Sequence, residues 1–216
     1  MELISLKYCI FVLILLALYY CFPKKCRWGV LLLGSISYYI IICKWYVIFI
    51  LLTILTTYFS AVAIDAMLKK QDAVVKEHKA EWDRQTRKEY REKGRKKRVA
   101  VMIAALVFNF GMLAFLKYIP YASKLGLLLP LGISFYTFQS MGYVMDVYRE
   151  KVEPQKNVFK LALFVSFFPQ IIQGPIAIYD NLAGQLYEGH DFKFRNIQKG
   201  AMLILWGALK KLVIAD

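Results

Sequence analysis

Residues 129–149 read LPLGISFYTFQSMGYVMDVYR, and most of what the sequence says about the fold depends on them. Pro130 suits the first turn of a helix, and the stretch is long enough to cross a bilayer. Four polar side chains fall close together at helical spacing: Tyr136, Gln139, Tyr143 and Asp146. Because polar groups in hydrocarbon are costly unless they face protein or water, we expect this polar stripe to point inward and to line a functional cavity.

The same stretch also has a purely structural interpretation. Small residues let neighbouring helices pack closely, and Gln139 would then make a single interhelical hydrogen bond. The small residues in question are Gly132, Ser134, Ser140 and Gly142. The residues alone favour neither the cavity nor the packing interpretation.

The composition of the chain is typical of a membrane protein. Of its 216 residues 59% are hydrophobic, and the mean hydropathy is +0.45. The net charge of +14 is concentrated in short loops and one segment between apolar runs, as orientation signals of membrane proteins are. Nucleic acid is not an expected partner, because no recognised binding motif accompanies the charge. The four cysteines show no C-x-x-C spacing, and no metal site is predicted.

Apolar runs recur along the whole chain and predict an all-α, polytopic transmembrane helical bundle with about six or seven membrane segments. The run at 158–172 is interrupted by Pro169, so a re-entrant segment is an alternative to a full crossing. The irregular stretch that follows adds three candidate channel-lining residues, Gln170, Gly174 and Pro175. The runs lie at 3–22, 28–43, 46–64, 99–118, 129–149, 158–172 and 196–214.

Charge divides the chain into three parts: N-terminal transmembrane helices at 1–68, a basic linker helix at 69–98, and a membrane core at 99–216. The linker holds thirteen basic and six acidic residues and is predicted to be cytoplasmic. It could lie along the membrane surface with Val75 and Trp82 dipping into it, but the pattern favours a charged spacer without a specific partner. The bilayer is an expected partner of the apolar runs. If the run at 158–172 crosses the membrane, the polar residues that follow it lie outside.

Catalytic motifs of soluble enzymes are absent from the sequence. Of the two histidines, His78 lies in the charged linker and is expected to be solvated. His190 is followed by Asp191, which makes it a weak candidate for a general base. A polar loop bounded by Gly189 is the simpler interpretation of this pair. Arg149 is expected to pair with Asp146 or to reach the headgroups of the inner leaflet.

Three blocks of sequence, in the right order, resemble a known family. Residues 130–139 followed by 146–149 are similar to the signature of the membrane-bound O-acyltransferases, in their bacterial alginate O-acetyltransferase branch. Residues 167–176 and 205–216 are similar to two later blocks of the same family. Glu150 departs from the pattern, since relatives commonly carry Gly there, and Ile178 stands where many carry Arg.

The resemblance implies a fold and an activity. The chain would form the N-terminal half of the family's fold in the bacterial inner membrane, as a multi-pass protein. The whole protein would transfer an acyl group, typically acetyl, to a hydroxyl of an extracellular or periplasmic polysaccharide such as an alginate-like exopolysaccharide, together with other envelope acylation proteins. The donor would be acetyl-CoA or another acyl carrier acting as co-substrate, with no bound cofactor. The family's catalytic histidine would lie beyond Asp216, so the chain alone would be inactive.

A second class of function fits the same residues. A polar stripe and a broken helix at membrane depth also mark transport sites. The alternative to an enzyme is therefore a membrane transporter or scaffold subunit that handles polysaccharide or lipid-linked substrate without chemistry.

Overall fold

The computed structural model describes residues 6–78, 81–118, 130–174 and 177–210. Every regular element in these ranges is helical, so the predicted all-α class is confirmed for this part of the chain. Short 3₁₀ turns precede the second and third helices. The α-helices are α1 (Leu6–Cys21), α2 (Arg27–Cys43), α3 (Val47–Glu77), α4 (Arg84–Tyr118), α5 (Ile133–Tyr148), α6 (Val158–Ser166), α7 (Phe168–Gln173), α8 (Tyr179–Tyr187) and α9 (Phe194–Leu209).

Two helical stretches are long and apolar enough to cross a membrane. The first runs from Lys24 to Glu77 and combines α2 with α3, and the second is α4. Shorter apolar helices lie at Leu6–Cys21 and Val158–Ile171. A membrane helical protein is consistent with these lengths, while the total of six or seven segments stays a prediction.

The core lies where α3, α4 and α5 pack together and where α6 packs against α2 and α3. All residues of α6 from Leu161 to Ser166 are buried. The last six residues of α6 thus lie in the interior of the bundle, while its first turn is partly exposed.

The predicted linker differs from expectation in its form. Its residues continue α3 as far as Glu77 and begin α4 at Arg84, so that it forms the ends of two long helices and the turn between them. Val75 is buried, and the Trp82 ring lies 4.9 Å from that of His78. Val75 is thus part of the packing of the hairpin, and the His78 ring stacks on that of Trp82.

The segment at 158–173 enters the bundle from one end. Near its start, the Lys160 ammonium lies 5.9 Å from the ring of Trp28, in the first turn of α2. At the junction with α7, the Phe168 N–H lies 3.4 Å from Ser35 Oγ, about two turns further along α2. The chain has therefore moved from the end of α2 towards its middle.

After α7 the chain returns to the end of the bundle at which α2 begins. Asp191, beyond α8, forms a 2.7 Å ion pair with Lys24, in the turn before α2. The loop after α8 and the turn before α2 thus lie at one end of the bundle. This path is the one that the re-entrant alternative predicts, and the number of crossings stays a prediction.

The end of α5 explains why glycine suits position 150. The N–H of Lys151 donates to Asp146 O, and the N–H of Glu150 donates to Val147 O, both at 3.0 Å. This pair of bonds is a Schellman motif, whose residue after the C-cap adopts the left-handed conformation that favours glycine. Glu150 accordingly has φ 60°.

Candidate functional site

The junction between α6 and α7 breaks the pattern of backbone hydrogen bonds. Phe167 has φ −58° and ψ 107°, and Pro169 follows in the first turn of α7. In a continuous helix the Phe168 N–H would donate to Phe164 O, but here it points to Ser35 Oγ. The carbonyl of Phe164 therefore lacks its usual donor within the helix and needs a hydrogen-bond donor from elsewhere.

Gln139 of α5 supplies that partner. Its Nε2 donates to Phe164 O at 2.9 Å and to Gln170 Oε1 at 3.2 Å, and the side chain is 4% exposed. Two of the predicted channel residues are thus in direct contact at the break. Both N–H groups of the Gln139 amide are engaged by the protein, which fixes the orientation of the side chain.

The two tyrosines of the polar stripe are buried in aromatic surroundings. The Tyr143 hydroxyl accepts the backbone N–H of Gln155 at 2.8 Å, and its ring lies 4.6 Å from that of Tyr179. Tyr136 is fully buried, with its ring 6.4 Å from that of Tyr39 in an edge arrangement. The contributions of Gln155, Tyr179 and Tyr39 have no signal in the local sequence, because each depends on contact between distant segments.

The remaining predicted residues lie apart from this contact. Asp146 is half-buried, and within the described ranges no ion pair joins it to Arg149, which is exposed. The expected pairing of these two side chains is therefore not formed. Gly174 lies directly against Gln170, where a Cβ would be 2.7 Å from the Gln170 Cα. Pro175 lies outside the described residues.

The small residues of α5 differ in what they permit. Gly132 has φ +70°, and a Cβ there would lie 2.5 Å from the backbone oxygen of Ile171. It allows α5 to begin against α7, as the packing interpretation requires of a small residue. Gly142 has nothing within 4 Å of its would-be Cβ and does not mediate close packing with the described residues.

Buried hydroxyls add to the polarity of the interior. Five hydroxyls of serine and threonine are buried and have no hydrogen-bond partner among the described residues. Four of these five lie on α3 and α5, which pack together. Such groups mark places where water or a polar ligand can bind. The five belong to Thr53, Thr57, Thr137, Ser140 and Ser166. The i, i+4 spacing of Thr53 and Thr57 in an apolar run is the sequence pattern that could have predicted polar groups between α3 and α5.

The side chains of His190 and Asp191 have separate partners in the structure. The His190 Nε2 lies 2.9 Å from Gln185 O, and the Asp191 carboxylate binds Lys24 instead. The hydrogen bond and charge of Lys24 lower the pKa of Asp191 below its usual value. Arg27 also donates to the backbone oxygen of His190. These contacts tie the loop to the turn before α2, which matches the simpler interpretation of a polar loop.

Several proteins similar to this chain are named as O-acetylases or O-acetyltransferases. A probable alginate O-acetylase AlgI of Pseudomonas syringae pv. tomato is 39% identical over 89 residues, covering 41% of this chain and 17% of that protein. The AlgI protein of Pseudomonas aeruginosa is 38% identical, covering 42% of this chain and 17% of that protein. The peptidoglycan O-acetyltransferase of Helicobacter pylori is 34% identical, covering 53% and 29%. The resemblance to O-acetyltransferases of the membrane-bound O-acyltransferase type is confirmed.

The similarity to these proteins covers only part of their length. The matched part spans less than a third of the length of each of these relatives. No family model matches the chain. No solved structure matches it. The matches therefore show similarity to O-acetyltransferases over part of their length, and the activity and substrate of the whole protein are proposals.

Proposed function

We propose that the protein transfers acetyl groups to hydroxyls of a polysaccharide outside the cytoplasm, and that this chain forms part of its core in the bacterial inner membrane. The observation that carries the proposal is the contact of the polar stripe with a broken helix at Gln139 and Gln170. Backbone that leaves the helical pattern at membrane depth is tolerated where protein or a water-filled cavity satisfies it. An alginate-like exopolysaccharide is the proposed acceptor, in line with the names of the relatives.

The residues of this site position substrate rather than break bonds. In acetyl transfer the acceptor oxygen attacks the acetyl carbonyl, the proton of the hydroxyl goes to a general base, and the donor's carrier leaves. The described interior offers hydroxyls and amides, which can orient an acceptor hydroxyl or the acetyl carbonyl by hydrogen bonding. Acetyl-CoA or another acyl carrier is the proposed donor, and further envelope proteins are proposed to complete acylation.

A transporter is the second candidate, because a discontinuous helix beside buried polar groups is also a feature of transport sites. The acetyltransferase is favoured by the names of the relatives described above. The two proposals differ in a measurable product. A transferase forms new ester bonds, whereas a transporter changes how much polysaccharide reaches the outside.

The test uses a strain from which the whole gene containing this chain has been deleted. Alkali-labile acetate is measured on exported polysaccharide and on peptidoglycan, with total exported polysaccharide measured in parallel. We expect acetate to disappear from one fraction, to return with the intact gene, and to fall by about tenfold or more with Gln139→Ala at equal membrane abundance. Gln185→Ala changes an exposed glutamine and serves as the matched control. Unchanged ester together with reduced export would favour the transporter.

A further inference from the structure

The hairpin formed by the ends of α3 and α4 encloses an open cleft with a volume of about 1300 Å³. Seven basic and four acidic side chains line it, among them Lys76 of α3. Its arginines recur at helical spacing along one face of α4. They are Arg84, Arg87, Arg91, Arg95 and Arg98. We call this feature the basic cleft.

One arginine of the basic cleft is buried and held in place. Arg98 is 8% exposed, and its guanidinium donates to Gln71 Oε1. The Gln71 Nε2 in turn donates to the backbone oxygen of Tyr90 at 2.8 Å. Gly94 makes room for this arrangement, because a Cβ there would overlap the Gln71 amide. A buried guanidinium thus faces a neutral acceptor, which orients it without balancing its charge.

The other arginines are also poorly compensated. Between the described side chains of the cleft, the one ion pair is that of Arg91 with Asp72, at 4.0 Å. The Nε of Arg87 is buried without a hydrogen-bond partner. Buried donors are nearly always satisfied, so an unpaired one beside several uncompensated positive charges marks a place for an anion.

Phosphate is the anion that these side chains suit. The planar fork of arginine matches two phosphate oxygens at once, and several arginines on one face can bind adjacent phosphoryl groups. The cleft lies beyond the apolar parts of α3 and α4, with Leu68 at its edge, so both soluble molecules and lipid headgroups can reach it. We propose that the basic cleft binds a ligand that carries phosphate, through Arg87, Arg91 and Arg98. This site is separate from the Gln139 contact and does not depend on acetyl transfer.

The test measures binding to the full chain in detergent by isothermal titration calorimetry. One titrant is inorganic pyrophosphate, and the others are short-chain phosphatidylglycerol and, for comparison, phosphatidylcholine. The variant is Arg87→Gln combined with Arg91→Gln, which alters side chains outside the helix-packing core. The control is Arg195→Gln with Lys25→Gln, which removes the same charge from exposed positions distant in sequence from the cleft. Circular dichroism confirms that both proteins stay folded.

We expect saturable binding that the cleft variant weakens by more than about tenfold and that the control leaves unchanged. Binding of pyrophosphate would identify a soluble phosphate ligand. Binding of phosphatidylglycerol, but neither phosphatidylcholine nor pyrophosphate, would identify an anionic headgroup. The proposal is overturned if neither pyrophosphate nor phosphatidylglycerol binds. It is also overturned if the cleft variant and the control variant bind as tightly as the unaltered chain.

Discussion

The Gln139 amide donates a 2.9 Å hydrogen bond to the carbonyl oxygen of Phe164, the acceptor that the break between α6 and α7 leaves without a helical partner. A side chain of one helix thus completes the backbone of another. Substitution Gln139→Leu keeps a similar size but removes the donor, so the buried carbonyl loses its partner. We expect a loss of about 1 to 3 kcal/mol in the free energy of unfolding, measured by denaturation in detergent. Gln185→Leu, at an exposed position, should cost far less.

Gly132 is the second point at which α5 depends on α7. Gly132→Ala would add a methyl group to a residue with a left-handed backbone, and that methyl group would lie against the backbone of Ile171. We expect a loss of about 2 to 4 kcal/mol. Gly142→Ala, in the same helix with open space around it, should be neutral or slightly stabilising because alanine favours helix. Equal effects at both positions would show that the contact with Ile171 does not matter. Thermal unfolding of the two variants side by side makes the comparison.

Glu150 has a strained backbone that glycine would relieve. Because its φ of 60° is unfavourable for a residue with a Cβ, Glu150→Gly should raise the free energy of unfolding by about 1 kcal/mol. Glu150→Gln keeps the strain and should leave stability nearly unchanged. If both substitutions stabilise equally, loss of charge and not relief of strain is the cause.

The same two variants also probe the basic cleft, which Glu150 lines. Removal of its carboxylate leaves the arginines less compensated, so both substitutions should tighten the binding of pyrophosphate, as measured by calorimetry. Unchanged or weaker binding in both variants would mean that Glu150 does not act on the ligand through its charge.

The ion pair of Asp191 with Lys24 predicts a dependence of stability on pH. The pKa of Asp191 is lower in the folded protein than its usual value, so the pair stabilises the fold above that usual value. This contribution is lost as the pH falls through the lowered pKa. The difference in melting temperature between the unaltered chain and Asp191→Asn should therefore be present near neutral pH and vanish in strong acid. Glu188→Gln, which removes an exposed carboxylate nearby, is the matched control.

Asn109 joins α4 to α3 in the apolar part of the bundle. Its Nδ2 donates to Thr56 Oγ1 at 3.0 Å and to Ala105 O at 2.9 Å, and the side chain is fully buried. Interhelical hydrogen bonds of this kind contribute about 0.5 to 2 kcal/mol in membrane proteins. A double-mutant cycle of Asn109→Leu with Thr56→Val should give a coupling energy in that range. A coupling energy near zero would assign the cost of Asn109→Leu to packing.

The amino-acid sequence by itself determined the helical class, the apolar runs and the face on which polar residues of α5 lie. These features follow from local hydropathy and from the helical period, which act within one segment. Tyr136, Gln139 and Tyr143 are accordingly buried, although their role in binding substrate remains a prediction. The left-handed backbone at Glu150 was not predicted from the sequence, although the glycine that the resemblance implies there suits it.

Only the tertiary structure decided the path of the chain after Pro169 and the partners of the polar groups. Whether an interrupted apolar run crosses or returns depends on contacts such as that of Lys24 with Asp191, which are 167 positions apart. The pairing of Arg98 with Gln71 likewise required the basic segment to fold into a hairpin. Such contacts are chosen by the packing of whole helices against one another, and no pattern within a single helix contains that information.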